Sequence, residues 1–198
     1  MGARRGRGLR VVAGEAGGLR LVAPRGSATR PTSGRVRESL FAALGPGPVA
    51  GASVLDLFAG SGALAIEALS RGAERAVLVE RDQATVDAIR ANLSATRLAG
   101  RARVRRGSVA PFLRGSPPPE APFDLVFLDP PYELPDADLA ALLARLDEPG
   151  WLAPGAAVVV ERAAGAAVPG LPGGWEVRWS RVSGDTLVVV VVPRPRRV

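Results

Sequence analysis

The residues best placed to do chemistry are Asp129-Pro130-Pro131-Tyr132, directly after the apolar run Phe123-Asp124-Leu125-Val126-Phe127-Leu128. Two consecutive prolines have no N–H to donate, so a sheet ladder stops there. Asp129 and Tyr132 then stand at the carboxyl end of a strand, where open α/β sheets bind ligands. An acceptor carboxylate, a rigid turn with exposed carbonyls and an aromatic face suit a flat base bearing an exocyclic amine. Such an amine is a poor nucleophile, because its lone pair is delocalised into the ring. Asp129 and the Pro130 carbonyl can accept its two hydrogens. Tyr132, the only tyrosine in the chain, can stack on the base for about 1–3 kcal/mol. Guanine N2, adenine N6 and cytosine N4 all satisfy these acceptors.

A second group of residues suits a cofactor. Asp56-Leu57-Phe58-Ala59-Gly60-Ser61-Gly62 ends a strand and opens a helix. Gly60 and Gly62 let the backbone turn tightly and approach a ligand, and the helix start offers unpaired N–H groups. The third position of a dinucleotide fingerprint is Ala65. Asp56 would repel a pyrophosphate and attract a cation, which favours a ligand with an ammonium and a carboxylate, such as the methionine moiety of S-adenosylmethionine. Glu80, 18 residues after Gly62, closes the next strand. A carboxylate there can accept both hydroxyls of a ribose. Gly107-Ser108-Val109 follows the third strand, at the place for adenine contacts.

These residues need a sheet edge to bring them together. Strands are expected at 53–58, 75–80, 102–106, 123–128 and 156–161, and helices at 62–71, 83–97 and 136–146. That alternation implies βαβ units and a parallel sheet. Residues 175–181 and 186–192 flank Ser183-Gly184-Asp185 with no room for a helix, so they form a terminal hairpin. Val188–Val192 is continuous and should be buried on both faces. This outline, a mainly parallel seven-stranded sheet with an antiparallel end, is that of the α/β class I methyltransferase (Rossmann-like) fold. Upstream, two short runs around Gly14-Glu15-Ala16-Gly17-Gly18 read as a small hairpin. A helix starting near Thr32 or Ser33 should run to Leu44. Residues 1–8 are expected to be a disordered basic tail, 9–48 a hairpin-and-helix cover, and 49–198 the catalytic domain. Ser116-Pro117-Pro118-Pro119 reads as a loop insertion.

Composition narrows the chemistry further. The chain has neither cysteine nor histidine, which removes disulfides, thiolate chemistry and the commonest general base and metal ligand. Residues 1–37 hold nine arginines and one acid; the whole chain is +7, so residues 38–198 sum to −1. A basic arm on a near-neutral body fits a nucleic-acid contact surface. The basic start is not followed by an apolar signal region and no run reaches membrane-span length, so a cytoplasmic protein is expected.

The chain resembles the amino-group methyltransferases that use S-adenosylmethionine, and more narrowly the bacterial 16S ribosomal RNA (guanine-N2)-methyltransferase D family, which modifies guanine 966. The residues carrying the resemblance are Arg10-Val11-Val12-Ala13-Gly14, Arg30-Pro31-Thr32 and Arg35-Val36-Arg37-Glu38-Ser39-Leu40-Phe41. They continue through the Asp56–Gly62 turn, Ala68-Leu69-Ser70-Arg71-Gly72-Ala73, the Asp129–Tyr132 motif and Gly150-Trp151-Leu152. The match runs in order over about residues 9 to 162.

The resemblance implies that Asp129, Pro130 and Tyr132 hold the guanine. It implies cofactor contacts from Asp56, Phe58, Ala59, Gly60 and Gly62, with Glu80, Arg81, Ser108, Val109 and Asp129 completing the set. RNA contacts would come from Arg10, Arg20, Arg30, Thr32, Arg35 and Arg37, with Tyr132 on the base. Thr32 to Glu38 would lie over the methionine end of the cofactor. The implied partner is 16S rRNA in the 30S subunit or its precursor, with a monomeric enzyme and no metal. Ser108 departs from the pattern, since many enzymes of this fold carry Asp there. Three other readings remain: adenine-N6 methylation of DNA, glutamine-amide methylation of protein, and a non-catalytic RNA-binding assembly factor. DNA enzymes usually carry a separate recognition domain, and protein amide enzymes usually show Asn at the Asp129 position.

Overall fold

The computed structural model describes residues 8–23, 34–167 and 170–194. Five parallel strands form most of the sheet: β1 (Ser53–Leu57), β2 (Arg75–Glu80), β3 (Ala102–Arg106), β4 (Phe123–Leu128) and β5 (Leu152–Ala163). The antiparallel hairpin of β6 (Trp175–Ser183) and β7 (Thr186–Pro193) completes it, with β7 against β5. The strand order is β3-β2-β1-β4-β5-β7-β6. The chain reverses at β1/β4, which makes that crevice the topological switch point where such sheets bind ligands.

The helices cover both faces. α1 (Gly34–Leu44), α2 (Ala63–Ser70) and α3 (Gln83–Ala95) enclose one core with Leu40, Ile66, Leu69, Leu78 and Ile89. α4 (Val109–Arg114) and α5 (Asp136–Leu146) enclose the other with Leu113, Leu139, Leu143 and Trp151. Central strands are therefore covered on both sides, which is why β1 is buried at all five positions. Val188 to Val191 are buried as expected, while Val192 at the end of the same run is only half-buried. Each fully buried Leu or Ile contributes roughly 1.5–3 kcal/mol.

Two elements differ from expectation. α4 is a helix that the sequence expectation does not include. Pro111 sits in the first turn, where its missing N–H would have had no intrahelical partner. β5 begins at Leu152 instead of residue 156, and Pro154-Gly155 passes through the strand where the β4–β5 register shifts.

The N-terminal hairpin is reduced to one antiparallel bridge, Arg10 with Arg20. Its two arms are joined by backbone bonds from Leu21 to the Leu9 carbonyl (2.9 Å), Val11 to the Leu19 carbonyl (3.0 Å) and Gly18 to the Val11 carbonyl (2.9 Å), and its backbone is also tied to α2. The buried Glu67 carboxylate accepts the N–H groups of Val12 (2.7 Å) and Ala13 (3.0 Å). Ser70 donates to the Ala13 carbonyl (2.6 Å) and accepts from Ala16 (2.9 Å). Gly14, at φ 83°, lies so close that a Cβ would fall 1.8 Å from the Ser70 carbonyl oxygen, so no other residue fits. Arg37 completes this joint. It is 1% exposed, donates to the Arg10 carbonyl (2.6 Å) and lies 3.6 Å from Glu67. Burial pulls its guanidinium pKa down, while Glu67 and Glu161 oppose the shift. The expectation that Arg37 contacts RNA is thereby corrected: it fastens the arm to the body.

Candidate active site

The carboxyl edge of the sheet gathers the chemistry. Asp56 lies in β1, Glu80 ends β2, and Asp129 follows β4. β1 runs between the other two strands, with Leu57 opposite both Val79 and Leu128. Glu80 and Asp129 thus flank the glycine turn on one edge, about 10 Å apart by strand spacing.

The turn between β1 and α2 is held in an unusual shape. Phe58 has φ 63°, which a bulky residue adopts only under constraint. Gly60 (φ 53°) and Gly62 (φ 75°) also occupy the left-handed region. The constraint is visible in the hydrogen bonds. Ala59 donates to the Val79 carbonyl (3.0 Å), Gly62 to the Ala59 carbonyl (2.7 Å), and Gly60 to the Glu80 carboxylate (3.0 Å). The other Glu80 oxygen accepts from Arg81 (2.8 Å) and Asp82 (3.0 Å). A carboxylate has about four lone-pair sites, so capacity remains for a ligand hydroxyl.

Asn92 on α3 was not singled out in the sequence. Its buried amide donates to the Ser61 carbonyl (2.9 Å) and the Val22 carbonyl (3.0 Å), and accepts from Val22 N–H (2.7 Å). It joins the glycine turn to the end of the N-terminal hairpin. A polar residue on the α3 face that carries Val86, Ile89 and Leu93 is the signal that could have revealed it. Glu67 in the fully buried α2 carries the same signal.

Three carboxyls converge here. Burial pushes Asp56 up to about 8, against the Ala65 N–H that it accepts (3.2 Å); the Asp129 and Glu80 charges push it further up. Burial likewise pushes Asp129 up to about 6. Mutually repelling acids in a protein of net charge +7 suit a ligand that brings positive charge. S-adenosylmethionine carries two cationic groups, a sulfonium and an ammonium, so the donor set fits it.

After Asp129 the chain turns sharply. Pro130 is buried, the Pro131 carbonyl accepts from Leu134 (2.9 Å), and the Pro130 carbonyl has no partner among the described residues. Tyr132 is 46% exposed, with its hydroxyl 3.4 Å from that of Thr186 on β7. From beneath, buried Arg162 on β5 donates to the Leu134 carbonyl (3.2 Å) and pairs with Asp136. Arg162 was also missed, because an Arg after an apolar strand reads as a solvated end.

The remaining expected residues are more scattered. Ser108 is exposed at the start of α4, with no hydrogen bond from its side chain to the helix, and Val109 is buried behind it. Arg81 is exposed beside Glu80. Arg10, Arg20 and Arg35 are exposed on the N-terminal segment. Arg30 and Thr32 lie outside the described residues.

A seven-stranded sheet of this order, with a strained glycine turn, an acid at the second strand end and an Asp-Pro-Pro-Tyr turn at the fourth, defines a class I methyltransferase. Comparison with known proteins narrows the class. The family model described as "Conserved hypothetical protein 95" matches residues 9–192. Ribosomal RNA small subunit methyltransferase D of Escherichia coli is 39% identical over 177 residues, covering 89% of this chain and 86% of that protein. The protein of the same name from Haemophilus influenzae is 38% identical, covering 77% and 78%. Among solved structures, yhhF from Escherichia coli superposes with a TM-score of 0.81 at 36% identity, over 94% of this chain and 98% of that one. A more distant structure complexed with SAH, 16% identical, shares the fold (TM-score 0.68, 83% of this chain and 50% of that one). The chain belongs to the ribosomal RNA small subunit methyltransferase D family, whose class uses S-adenosylmethionine as cofactor.

Proposed function

We propose that this chain methylates the exocyclic N2 amine of a guanine in 16S rRNA, within a 30S particle or its precursor. The observation that carries the reading is the Asp129 turn beside the three-carboxyl cluster: an amine acceptor set at the mouth of a cation site. When bound, S-adenosylmethionine supplies a methyl group activated by its sulfonium. The residues of the chain do the rest. Asp56 faces the ammonium end through the glycine turn, Glu80 accepts a ribose hydroxyl at its remaining site, and the Ser108–Val109 turn borders the adenine. Phe58, Ala59, Gly60 and Gly62 shape the backbone that receives the cofactor, with Arg81 at its edge.

Asp129 and the Pro130 carbonyl accept hydrogen bonds from the two amine hydrogens, which turns the lone pair out of the ring and toward the methyl group, and the one proton that the amine loses on methylation passes to the Asp129 carboxylate or to water. Tyr132 stacks on the guanine. Orientation of this kind lowers the barrier by holding a near-attack geometry. Arg10, Arg20, Arg30, Thr32 and Arg35 contact the RNA, and the basic N-terminal tail adds counterion release. The enzyme works as a cytoplasmic monomer, with residues 49–198 as the catalytic domain and 9–48 as its cover.

The test is mass spectrometry of rRNA digests from a strain lacking the gene. Loss of one N2-methylguanine from 16S rRNA, restored by the wild-type chain, is expected. An unchanged 16S digest would contradict the reading.

A further inference from the structure

The sequence points to the N-terminal arm as the RNA surface; a second set of exposed arginines lies at the opposite end of the chain. β6 is an edge strand, and its outer residues are unusual for a plain solvated edge. Val177 and Val182 are exposed apolar residues (45% and 60%), interleaved with exposed Arg178 and Arg181. Arginines on an edge strand commonly serve only to prevent edge-to-edge pairing. Two further observations assign Arg181 more than that.

The first is its neighbour. Arg181 donates to the Ser39 hydroxyl (3.0 Å) on α1. Ser39 lies four residues after Arg35, so Arg35 shares that helix face one turn closer to the N-terminus. Both arginines are exposed, and neither forms an ion pair with an acid among the described residues. The acids carried by these elements are Glu38 on α1 and Asp185 in the β6–β7 turn. Two guanidiniums held on neighbouring elements repel one another unless an anion joins them.

The second is continuity with the target-base site. Arg181 pairs with Val188, and Ser183 pairs with Thr186. Cross-strand partners and alternate residues share a sheet face, and Val188 lies in the core that α1 covers. Arg181, Ser183 and Thr186 therefore present the α1 side, and Thr186 is the residue beside the Tyr132 hydroxyl. By strand geometry Arg181 stands within roughly 10 Å of Thr186.

We infer that Arg181 and Arg35 form a phosphate-binding pair that grips the rRNA backbone next to the nucleotide held by Tyr132. The occupant is the RNA strand flanking the target guanine, so the inference rests on the rRNA reading above. Arginine suits the task because its planar fork matches phosphate oxygens.

The experiment measures binding of the full chain to 30S particles lacking the modification, over a range of salt concentrations. R181A and R181Q should each weaken binding about 3–10-fold and lower the salt slope by about 1, with S-adenosylhomocysteine affinity unchanged. R181Q keeps a donor for Ser39 but no charge, so it separates charge from tethering. R181K and S39A should bind nearly as wild type. Wild-type affinity in R181Q, or an S39A variant as weak as R181A, would overturn the inference in favour of a structural tether. A wild-type chain that binds no 30S particle would instead overturn the rRNA reading on which it rests.

Discussion

The Glu80 carboxylate accepts the Gly60 N–H at 3.0 Å, so the residue proposed for the ribose also holds the glycine turn in place. Substitution at Glu80 therefore acts twice, on a ligand contact and on the loop that receives the same ligand.

Glu80→Ala should weaken S-adenosylmethionine binding at least ten-fold by calorimetry, because one hydrogen bond to a charged group is worth about 1.5–3 kcal/mol. Glu80→Gln should recover part of the loss, since its amide oxygen can still accept from Gly60. Unchanged affinity in Glu80→Ala would remove Glu80 from the cofactor site.

Asp56 predicts a pH dependence of known sign. Its folded pKa, about 8, lies above the ordinary 3.8. The ligand-free protein thus binds this proton more tightly than the unfolded chain does. The associated stability is complete below about pH 4 and is lost as pH rises toward 8. Asp129, at about 6, adds the same trend between roughly pH 4 and 6. A cationic ligand favours the ionised forms, so cofactor binding should release protons and tighten from pH 6 to 8. Calorimetry in buffers of different ionisation enthalpy reads the proton count. Asp56→Asn should lower it; an equal count in wild type and variant would show that Asp56 does not face the ligand charge.

Much of this site was legible in the sequence because it is written in local chemistry. The proline pair at 130–131, the glycines at 60 and 62, and acids at strand ends act through the backbone around them. Nearly all the strand and helix positions follow from period and turn residues. What escaped was tertiary. Glu67, Asn92 and Arg162 do their work against segments 26 to 70 residues away, and spacing alone does not reveal such partners. Arg37 was misplaced for the same reason. One turn before Leu40 and Phe41 it shares their buried face, a position that favours an inward role over the surface role its charge suggested. α4, which the expectation did not include, carries Pro111, a residue compatible with a first turn but indistinguishable from a loop signal.

Arg162 should matter for rate and not for cofactor affinity. It spans the Leu134 carbonyl and Asp136 under the Asp129–Tyr132 turn. Arg162→Lys keeps the charge but has no fork to bridge both partners. A turn displaced by about 1 Å can cost up to ~10²-fold in rate, so kcat should fall ten-fold or more while the Kd for S-adenosylmethionine stays within two-fold. A variant with wild-type kcat would show that the turn is held by other contacts.

The central claim is that Asp129 orients an amine for methylation, and the direct measurement is transfer of labelled methyl from S-adenosylmethionine to 30S particles lacking the modification. Wild type should label a single N2-methylguanine in 16S rRNA. Asp129→Ala should lose about 10²–10³ in rate, by analogy with other positioned polar groups, while still folding and binding cofactor. Near-normal turnover by Asp129→Ala, or a labelled product other than N2-methylguanine, would contradict the account.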